Sequence, residues 1–500
     1  MTLVASVLAI RAQDATTNAT PAIGASADDI RALRQKIEEL ERKVKELEEK
    51  SKPAAQQEKD KADELEQKVK ILEGNRELDV EAAEVKAKEA PKIAIGSDGF
   101  SFGNADNSYV VQLKGVLQVD SRTFLHDSGT VGNDSLLLRR ARPIIQGTLA
   151  RDFDFQLVPD FGGSSVQIFD AWLNYRLNPA VQLMAGKFKS PIGLEQLQAD
   201  VDLTFNERAL PTDLVPNRDI GFELHGDLFG GAISYAAGIF NGVGDARNSS
   251  NFDFEDDKAF EGRIFFQPFK PTRISALQGF GLGLGGSYEH MQKTNTTGLP
   301  ATTGGSLAGF VTDGQQQFFA YNPVSNAVVV ANGEHWRLSP QGSYYYGPFG
   351  LLADYVISDQ RVTRTLGTSH ISRRLENKAW EVTGLWVLTG EDAAYKGGVV
   401  PRRPFNPLQG GWGAWQLVAR YAELNVDSDA FPLFANPASS AKSAASWSVG
   451  LNWWLNRNVR LMTSFSHTDF HGGGGTGTSA PAAVTRNDEN VVFTRIQLGF

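Results

Sequence analysis

Arg140 and Arg142 stand two residues apart in the run Leu138-Arg139-Arg140-Ala141-Arg142. On a strand, residues with that spacing share a face and lie about 7 Å apart, so the pair could offer planar charged donors to a single oxyanion. Further cations, Lys114, Arg122, Arg176, Arg263, Arg337, Arg420, Arg460 and Arg495, fall on the polar side of segments whose other side is apolar. The same parity puts Asp120, Asp154, Asp170, Glu223, Asp227, Glu261, Glu289, Asp354 and Glu381 on that side. Two readings stay open. The guanidinium groups could line a path that replaces part of the hydration shell of a passing anion, or they could pair with the carboxylates as salt-bridged walls.

Catalytic chemistry finds little footing. The chain has no Cys, hence no thiolate nucleophile, disulfide or Cys-based metal site. Its 7 His are scattered, and the one close pair, His467 with His471, runs into a Gly-rich loop. No Gly-rich phosphate loop or metal-binding His motif sits between a strand and a helix. The acidic stretch 253–257 reads as a solvated loop with at most weak Ca²⁺ affinity. We therefore expect no enzyme, no cofactor and no resident metal.

The elements that would hold these charges alternate. Tyr109, Val111, Leu113, Leu117 and Val119 interleave with Gln112, Lys114, Gln118, Asp120 and Arg122; Trp447, Val449, Leu451, Trp453 and Leu455 interleave with small and polar residues. That period of two describes strands with one greasy and one wet face. About sixteen such segments fit between 109 and 500, each near the length that a tilted membrane strand needs. No eighteen apolar residues run together, so a spanning helix is excluded while a membrane barrel is not. Short connectors (151, 178–179, 229–230, 347–348, 456–457) alternate with longer ones such as 292–333 and 471–488, as on the two rims of an outer-membrane barrel. The connector 390–412 is long where a short turn is expected, either an insertion or a missed pair of strands. A charge of −9, with 17 basic and 21 acidic residues up to Asp98 and 32 and 37 after it, leaves neither part basic, so no nucleic-acid partner is expected.

One connector is too long to be a plain turn. The stretch Val181–Pro211 starts as a strand and then runs to the next strand signal near Ile220. It mixes the apolar anchors Leu194, Leu197 and Val201 with Lys187, Lys189, Glu195, Asp200, Asp202, Glu207 and Arg208, which suits a loop packed on an inner wall with its charges toward water.

The N-terminal part has another period. Ile30, Leu33, Ile37, Leu40, Val44 and Leu47 follow a heptad seam, and Asp29 with Arg34, Lys36 with Glu41 and Lys43 with Glu48 are opposite in sign at g and e, favouring parallel identical chains. Pro53 is expected to end this helix, and a weaker seam at Leu65, Val69 and Leu72 to end at Gly74-Asn75. The apolar run Leu3–Ile10 reads as an incomplete secretion signal. The layout is thus 1–27 signal remnant or disordered, 28–90 coiled coil and linker, 91–108 linker, and 109–500 barrel.

The run Gly186-Lys187-Phe188-Lys189, Pro191, Leu194-Glu195, Asp202-Leu203-Thr204-Phe205, Glu207-Arg208 and Leu210-Pro211 resembles the motif of the phosphate-selective porin O and P family. So do Leu138–Arg142, Gly147-Thr148-Leu149 and Asp170-Ala171-Trp172 upstream, at matching separations, and the resemblance spans roughly Phe100 to Phe500. With the strand count above, it implies a sixteen-stranded antiparallel transmembrane β-barrel in the outer membrane of a Gram-negative bacterium; the N-terminal coiled-coil helix, read from its heptads and expected in the periplasm, lies outside the resemblance. The resemblance implies that the long loop folds into the lumen as a constriction, and that the chain passes small hydrophilic solutes or anions, phosphate included. Such porins are trimers, whereas β-branched residues at a with Leu at d favour two strands; we side with the homotrimer. The last strand ends in Phe500, resembling the signal read by the barrel assembly machinery. The other reading is a structural envelope protein whose coiled coil tethers the outer membrane to peptidoglycan. On either reading membrane lipid is a partner, and the loop 292–333, with Lys293 as its one basic residue, argues less for phosphate than for a porin.

Overall fold

The alternation is realised as a closed sheet. A computed structural model describes residues 27–125, 132–163, 165–249, 256–291, 307–323, 327–474 and 485–500. The run Leu3–Ile10, Lys293 and residues 253–255 of the acidic stretch lie outside them. The described residues fall into two units, one ending at Lys88 and the other starting at Glu89.

In the first unit, α1 spans Ala27–Glu89, 63 residues, about 95 Å at 1.5 Å per residue. It continues through Pro53 and Gly74, so the expected breaks are corrected. Runs of Ala, Gln, Glu and Lys on both sides of these residues supply enough helix propensity to carry a single missing hydrogen bond and one glycine. Ile30, Leu33, Ile37, Leu40, Val44 and Leu47 are all exposed, between 51% and 66%, so this helix leaves its apolar stripe uncovered. No described helix is long and apolar enough to cross a membrane.

In the second unit, a hairpin comes first, β1 (Lys92–Gly96) and β2 (Gly99–Gly103). This corrects the linker expected at 91–108: two five-residue strands joined by Ser97-Asp98 are too short to stand out by periodicity. The wall follows: β3 (Val110–Phe124), β4 (Ser135–Leu149), β5 (Phe153–Asp160), β6 (Gln167–Asn178), β7 (Val181–Lys189), β8 (Arg218–Leu228), β9 (Ile233–Phe240), β10 (Ala259–Phe266) and β11 (Phe280–Met291). After a small hairpin, β12 (Phe310–Val311) and β13 (Gln317–Phe319), come β14 (Val328–Tyr346), β15 (Phe349–Leu366), β16 (Ser369–Val387), β17 (Ala414–Asn425), β18 (Ala441–Trp454), β19 (Val459–Gly472) and β20 (Glu489–Gly499). Each wall strand pairs antiparallel with the next, and β20 returns to β3, closing sixteen strands into a barrel. A closed sheet leaves no unpaired edge along the wall.

All sixteen expected segments appear, three of them longer than read. Strand β14 starts at Val328 instead of 334, and β15 and β16 extend to a two-residue turn at Gly367-Thr368 instead of leaving a loop at 362–375; Val362 shares a face with Arg364 and Ile371 with Arg373, so these strand ends offer no apolar–polar alternation to read. The connector 388–413 is an insertion, not a missed pair of strands.

Candidate functional site

The interior is set by what folds into it. The connector between β7 and β8, residues 190–217, enters the barrel with one helical turn, α2 (Leu194–Leu197), and a tight 3-10 turn at Leu210–Leu214. Its enclosed apolar residues are Ile192, Leu194, Leu203, Phe205, Leu210 and Leu214; Leu197 and Val201, expected as anchors, are only half-buried. The helical spacing that suggested them lasts a single turn.

Polar side chains of the wall hold its backbone along one contiguous arc. Gln341 of β14 donates to the Ile192 carbonyl (2.7 Å), and Asp354 of β15 accepts from the Leu194 amide (2.8 Å). Arg420 of β17 reaches the Glu207 carbonyl (3.1 Å) and lies over the Phe205 ring, while Asn452 of β18 takes the Thr204 carbonyl (2.9 Å). Arg460 of β19 takes Leu203 (3.0 Å), Gln497 of β20 takes Val201 (3.0 Å) and Gln118 of β3 takes Asp200 (3.1 Å). On β11, the missing side chain of Gly285 is what admits the loop: a Cβ there would lie 2.3 Å from the Ile192 carbonyl oxygen.

Two more segments fold inward. The hairpin β12–β13 buries Phe310, Phe318 and Phe319 and delivers Asp313 to the Ser446, Ser448 and Ser466 hydroxyls and to Arg420 (3.0 Å). Its Val311 amide donates to Asp213 of the long loop (2.8 Å). From the opposite rim, the insertion brings Tyr395, whose hydroxyl donates to the Leu194 carbonyl (2.6 Å), and the Gly397 amide, which donates to Asp202.

The space left lies along β4 to β10. A cavity of about 1040 Å³ is lined by Gln146, Gln156, Trp172, Met184, Glu223 and Arg263 among others, and one of about 290 Å³ by Arg139, Glu207, Arg208 and Asn217 among others. Both are bordered by Arg142, Asp200 and Arg218. There Arg142 binds Asp160 (2.6 Å) and Asp200, and Arg218 binds Asp170 (3.2 Å). Between them the Phe169 ring carries a guanidinium 4.0 Å from its centroid on Arg142 and 4.5 Å on Arg218, an arrangement that holds both groups in fixed planes.

The other expected cations divide by environment. Arg140 meets Gln118 (2.7 Å) and Asp200 (3.4 Å), and Arg122 meets Glu207 (3.1 Å). Arg337, Arg420, Arg460 and Arg495 are enclosed: Arg337 by Asp245 and Glu289, Arg420 by Asp313 and Glu195, Arg460 by carbonyls and the Trp454 ring, Arg495 by Asp120. Arg176 pairs with Asp154 (3.0 Å) near a short turn, Arg263 donates to Gln341 beside the large cavity, and Lys114 is half-buried. Lys187 pairs in register with Ala171 and Ile220 on the face opposite Phe188, its amine on the Ser249 carbonyl (2.7 Å), whereas Lys189 borders the large cavity and donates to the Gln198 carbonyl.

Within the long loop, burial pushes the Asp200 carboxyl up, but Arg140, Arg208 and Arg142 outweigh it and hold the group well below the carboxylate range. Glu207 is lowered likewise, burial opposing and Arg139 and Arg140 prevailing. Burial raises Asp213 well above its ordinary value, with Asp313 and Asp245 adding to the rise.

Four residues of this interior escaped the sequence reading. Arg139 turns inward because a bulge opposite Gln118-Val119 breaks the parity of β4, and it grips Glu207 through two bonds (2.6 and 2.9 Å). Arg218 opens β8 one residue before the expected start, Phe169 is placed by an irregularity opposite Val158-Pro159 that breaks the parity of β6, and Asp313 lies in the turn between β12 and β13.

Comparison with known proteins gives the following. The model of the family "Phosphate-selective porin O and P" matches residues 111–500. Porin O of Pseudomonas aeruginosa is 24% identical over 389 residues, covering 73% of this chain and 84% of that protein. Among solved structures, the outer membrane channel DcaP of Acinetobacter baumannii is similar at a TM-score of 0.48 and 12% identity, covering 79% of this chain and 98% of that one. OmpT of Vibrio cholerae is similar at a TM-score of 0.47 and 10% identity, over 79% and 98%.

Proposed function

The chain belongs to the phosphate-selective porin O and P family, and from that premise we propose that it is a passive outer-membrane channel for small hydrophilic solutes with a preference for anions of the phosphate or carboxylate kind. The observation that carries this reading is the shared border of the two cavities at Arg142, Asp200 and Arg218. Around it Arg122, Arg139, Arg140, Arg142, Arg208 and Arg218 face Asp160, Asp170, Asp200 and Glu207, a surplus of two positive charges. So small a surplus supports a modest anion preference rather than a tight phosphate site.

On this reading the sixteen strands span the membrane, the short-turn rim and α1 face the periplasm, and three copies assemble with their α1 stripes joined in a coiled coil. Phe500 serves as the signal for the assembly machinery. The tether to peptidoglycan gains no support, since the family match covers the barrel and leaves α1 out.

The test is the reversal potential of the purified protein in a planar bilayer under a potassium chloride gradient. Wild type is expected to prefer chloride, and Arg142→Ala with Arg218→Ala to lose that preference and any block of the chloride current by phosphate. An unchanged reversal potential and block in the double variant would remove these arginines from the permeation path.

A further inference from the structure

The hairpin β1–β2 fills the step where the barrel closes. Strand β20 stops short, Phe500 pairing with Gly115 through both backbone bonds (3.0 and 3.1 Å), so the start of β3 is left without a partner on that side. Strand β2 takes the place, Phe100 opposite Leu113 and Phe102 opposite Val111, and β1 adds a further row. The hairpin is fastened at its turn as well. Asn458 bridges the Ser97 and Gly499 carbonyls (2.6 and 2.7 Å), and Arg457 pairs with Asp98 (2.9 Å).

Register sorts the side chains into two faces. Ile93, Phe102 and Val111 form one row and Ile95, Phe100 and Leu113 the next, all on one face and 37% to 73% exposed. The other face carries Ala94, Ser101 and Gln112, with Gln112 bonded to Gln146 inside the barrel. The apolar rows continue on the same side of β3 into Leu117 and Val119, which are exposed to a similar degree. At this rim aromatic side chains also stud the outer wall, Phe153 against Tyr175 and Phe349 against Trp386, and Phe100 meets Phe500 edge to face at 6.4 Å, carrying the belt across the seam. Aromatic belts of this kind sit at membrane–water interfaces.

We propose that the outer face of the β1–β2 hairpin is a lipid-contact surface, seated in the periplasmic leaflet as part of the membrane belt and not a free linker. The inference rests on the membrane-spanning reading above. It makes the hairpin part of the barrel's membrane-contacting wall, beginning at Lys92.

The chain lacks cysteine, so single-cysteine variants each take one nitroxide label. Ile95→Cys and Phe102→Cys test the hairpin, Leu117→Cys the barrel wall, and Lys92→Cys the opposite face. In lipid vesicles, collision with oxygen and with a water-soluble nickel chelate is read by power saturation. The expected result is an oxygen-to-nickel ratio at positions 95 and 102 that matches position 117 and exceeds position 92 several-fold. Nickel access at 95 and 102 with 117 still in lipid would overturn the hairpin inference alone. Exclusion of both reagents there would overturn it in favour of a covering second copy of this chain. Nickel access at 117 would sink the membrane reading and this inference with it.

Discussion

Arg495 and Asp120 face each other across the closing seam, Nε to Oδ1 at 2.6 Å and Nη2 to Oδ2 at 2.7 Å, with both side chains fully enclosed. A bidentate pair at this place ties the last strand to the first. Removing Asp120 leaves the buried Arg495 with one 3.3 Å contact to Glu207 in place of a bidentate partner, and breaking a buried pair of this kind costs up to about 3–5 kcal/mol. Asp120→Ala is therefore expected to lower the temperature at which the folded barrel unfolds in detergent by electrophoretic mobility, whereas Asp154→Ala, partner of the half-exposed Arg176, is expected to change it little.

Glu207 gathers the loop's cationic partners: Arg139 through two bonds, Arg122 at 3.1 Å and Arg495 at 3.3 Å. Glu207→Gln keeps an acceptor and removes the charge. The surplus of guanidinium groups around the border of the two cavities then grows, and the reversal potential in a salt gradient is expected to move further toward the anion side. A shift toward cations would show that Glu207 does not act on the permeating ion.

The wall and the interior differ in how far they can be read from the residues in order. Strand faces are a local property of every second residue, so Arg140, Arg142 and the closing strand at 489–499 are legible, as is the presence of an N-terminal helix though not its length. Arg139 is not, because one bulge inverts the parity, and its partner Glu207 is set by the path of a loop 68 residues away. Likewise Asp313 meets Arg420 and three serines only once a distant hairpin has entered the barrel. Among the described residues most of the arginines on the wet face are ion-paired, Arg176 with Asp154 and Arg495 with Asp120 inside the wall, Arg122 and Arg420 with acids of the inward segments, whereas Glu223, Asp227, Glu261, Asp354 and Glu381 are in no ion pair; the groups beside the cavities are distinguished only by which arc the loop leaves open.

Gly285 marks where that arc ends. A larger residue collides with the Ile192 backbone, and overpacking of this kind costs about 1–3 kcal/mol. Gly285→Val is expected to lift one anchor of the loop while leaving the strand's own pairing intact. Single-channel conductance should rise and current noise increase, with the circular dichroism of the barrel unchanged.

Asp213 gives a pH dependence with a definite sign. Its carboxyl is raised well above the ordinary value by burial, Asp313 and Asp245 adding to the rise, while it accepts the Val311 amide. A raised folded value means that its contribution is fully present below the unfolded value of about 3.9 and is lost as pH rises through the folded value. The contact between the long loop and the β12–β13 hairpin should loosen with rising pH, seen as more frequent current fluctuations. Asp213→Asn should abolish that dependence; Asp200 and Glu207, whose values are lowered, oppose it only in strong acid.

The exposed stripe on α1 yields the last expectation. Six large apolar residues at heptad spacing stay in water unless other helices cover them, and each covered side chain is worth about 1.5–3 kcal/mol at full burial. β-Branched residues at a with Leu at d favour two strands, so a peptide of residues 27–89 alone is expected to sediment as a dimer, helical in proportion to concentration. On the trimeric assembly proposed above, three-fold symmetry would be imposed on the same seam. Ile37→Asp with Leu40→Asp should abolish peptide association yet leave the barrel folded and conducting, because sixteen strands close without the helix. A peptide that stays monomeric and unfolded at high concentration would remove the coiled coil and leave the stripe without its partner.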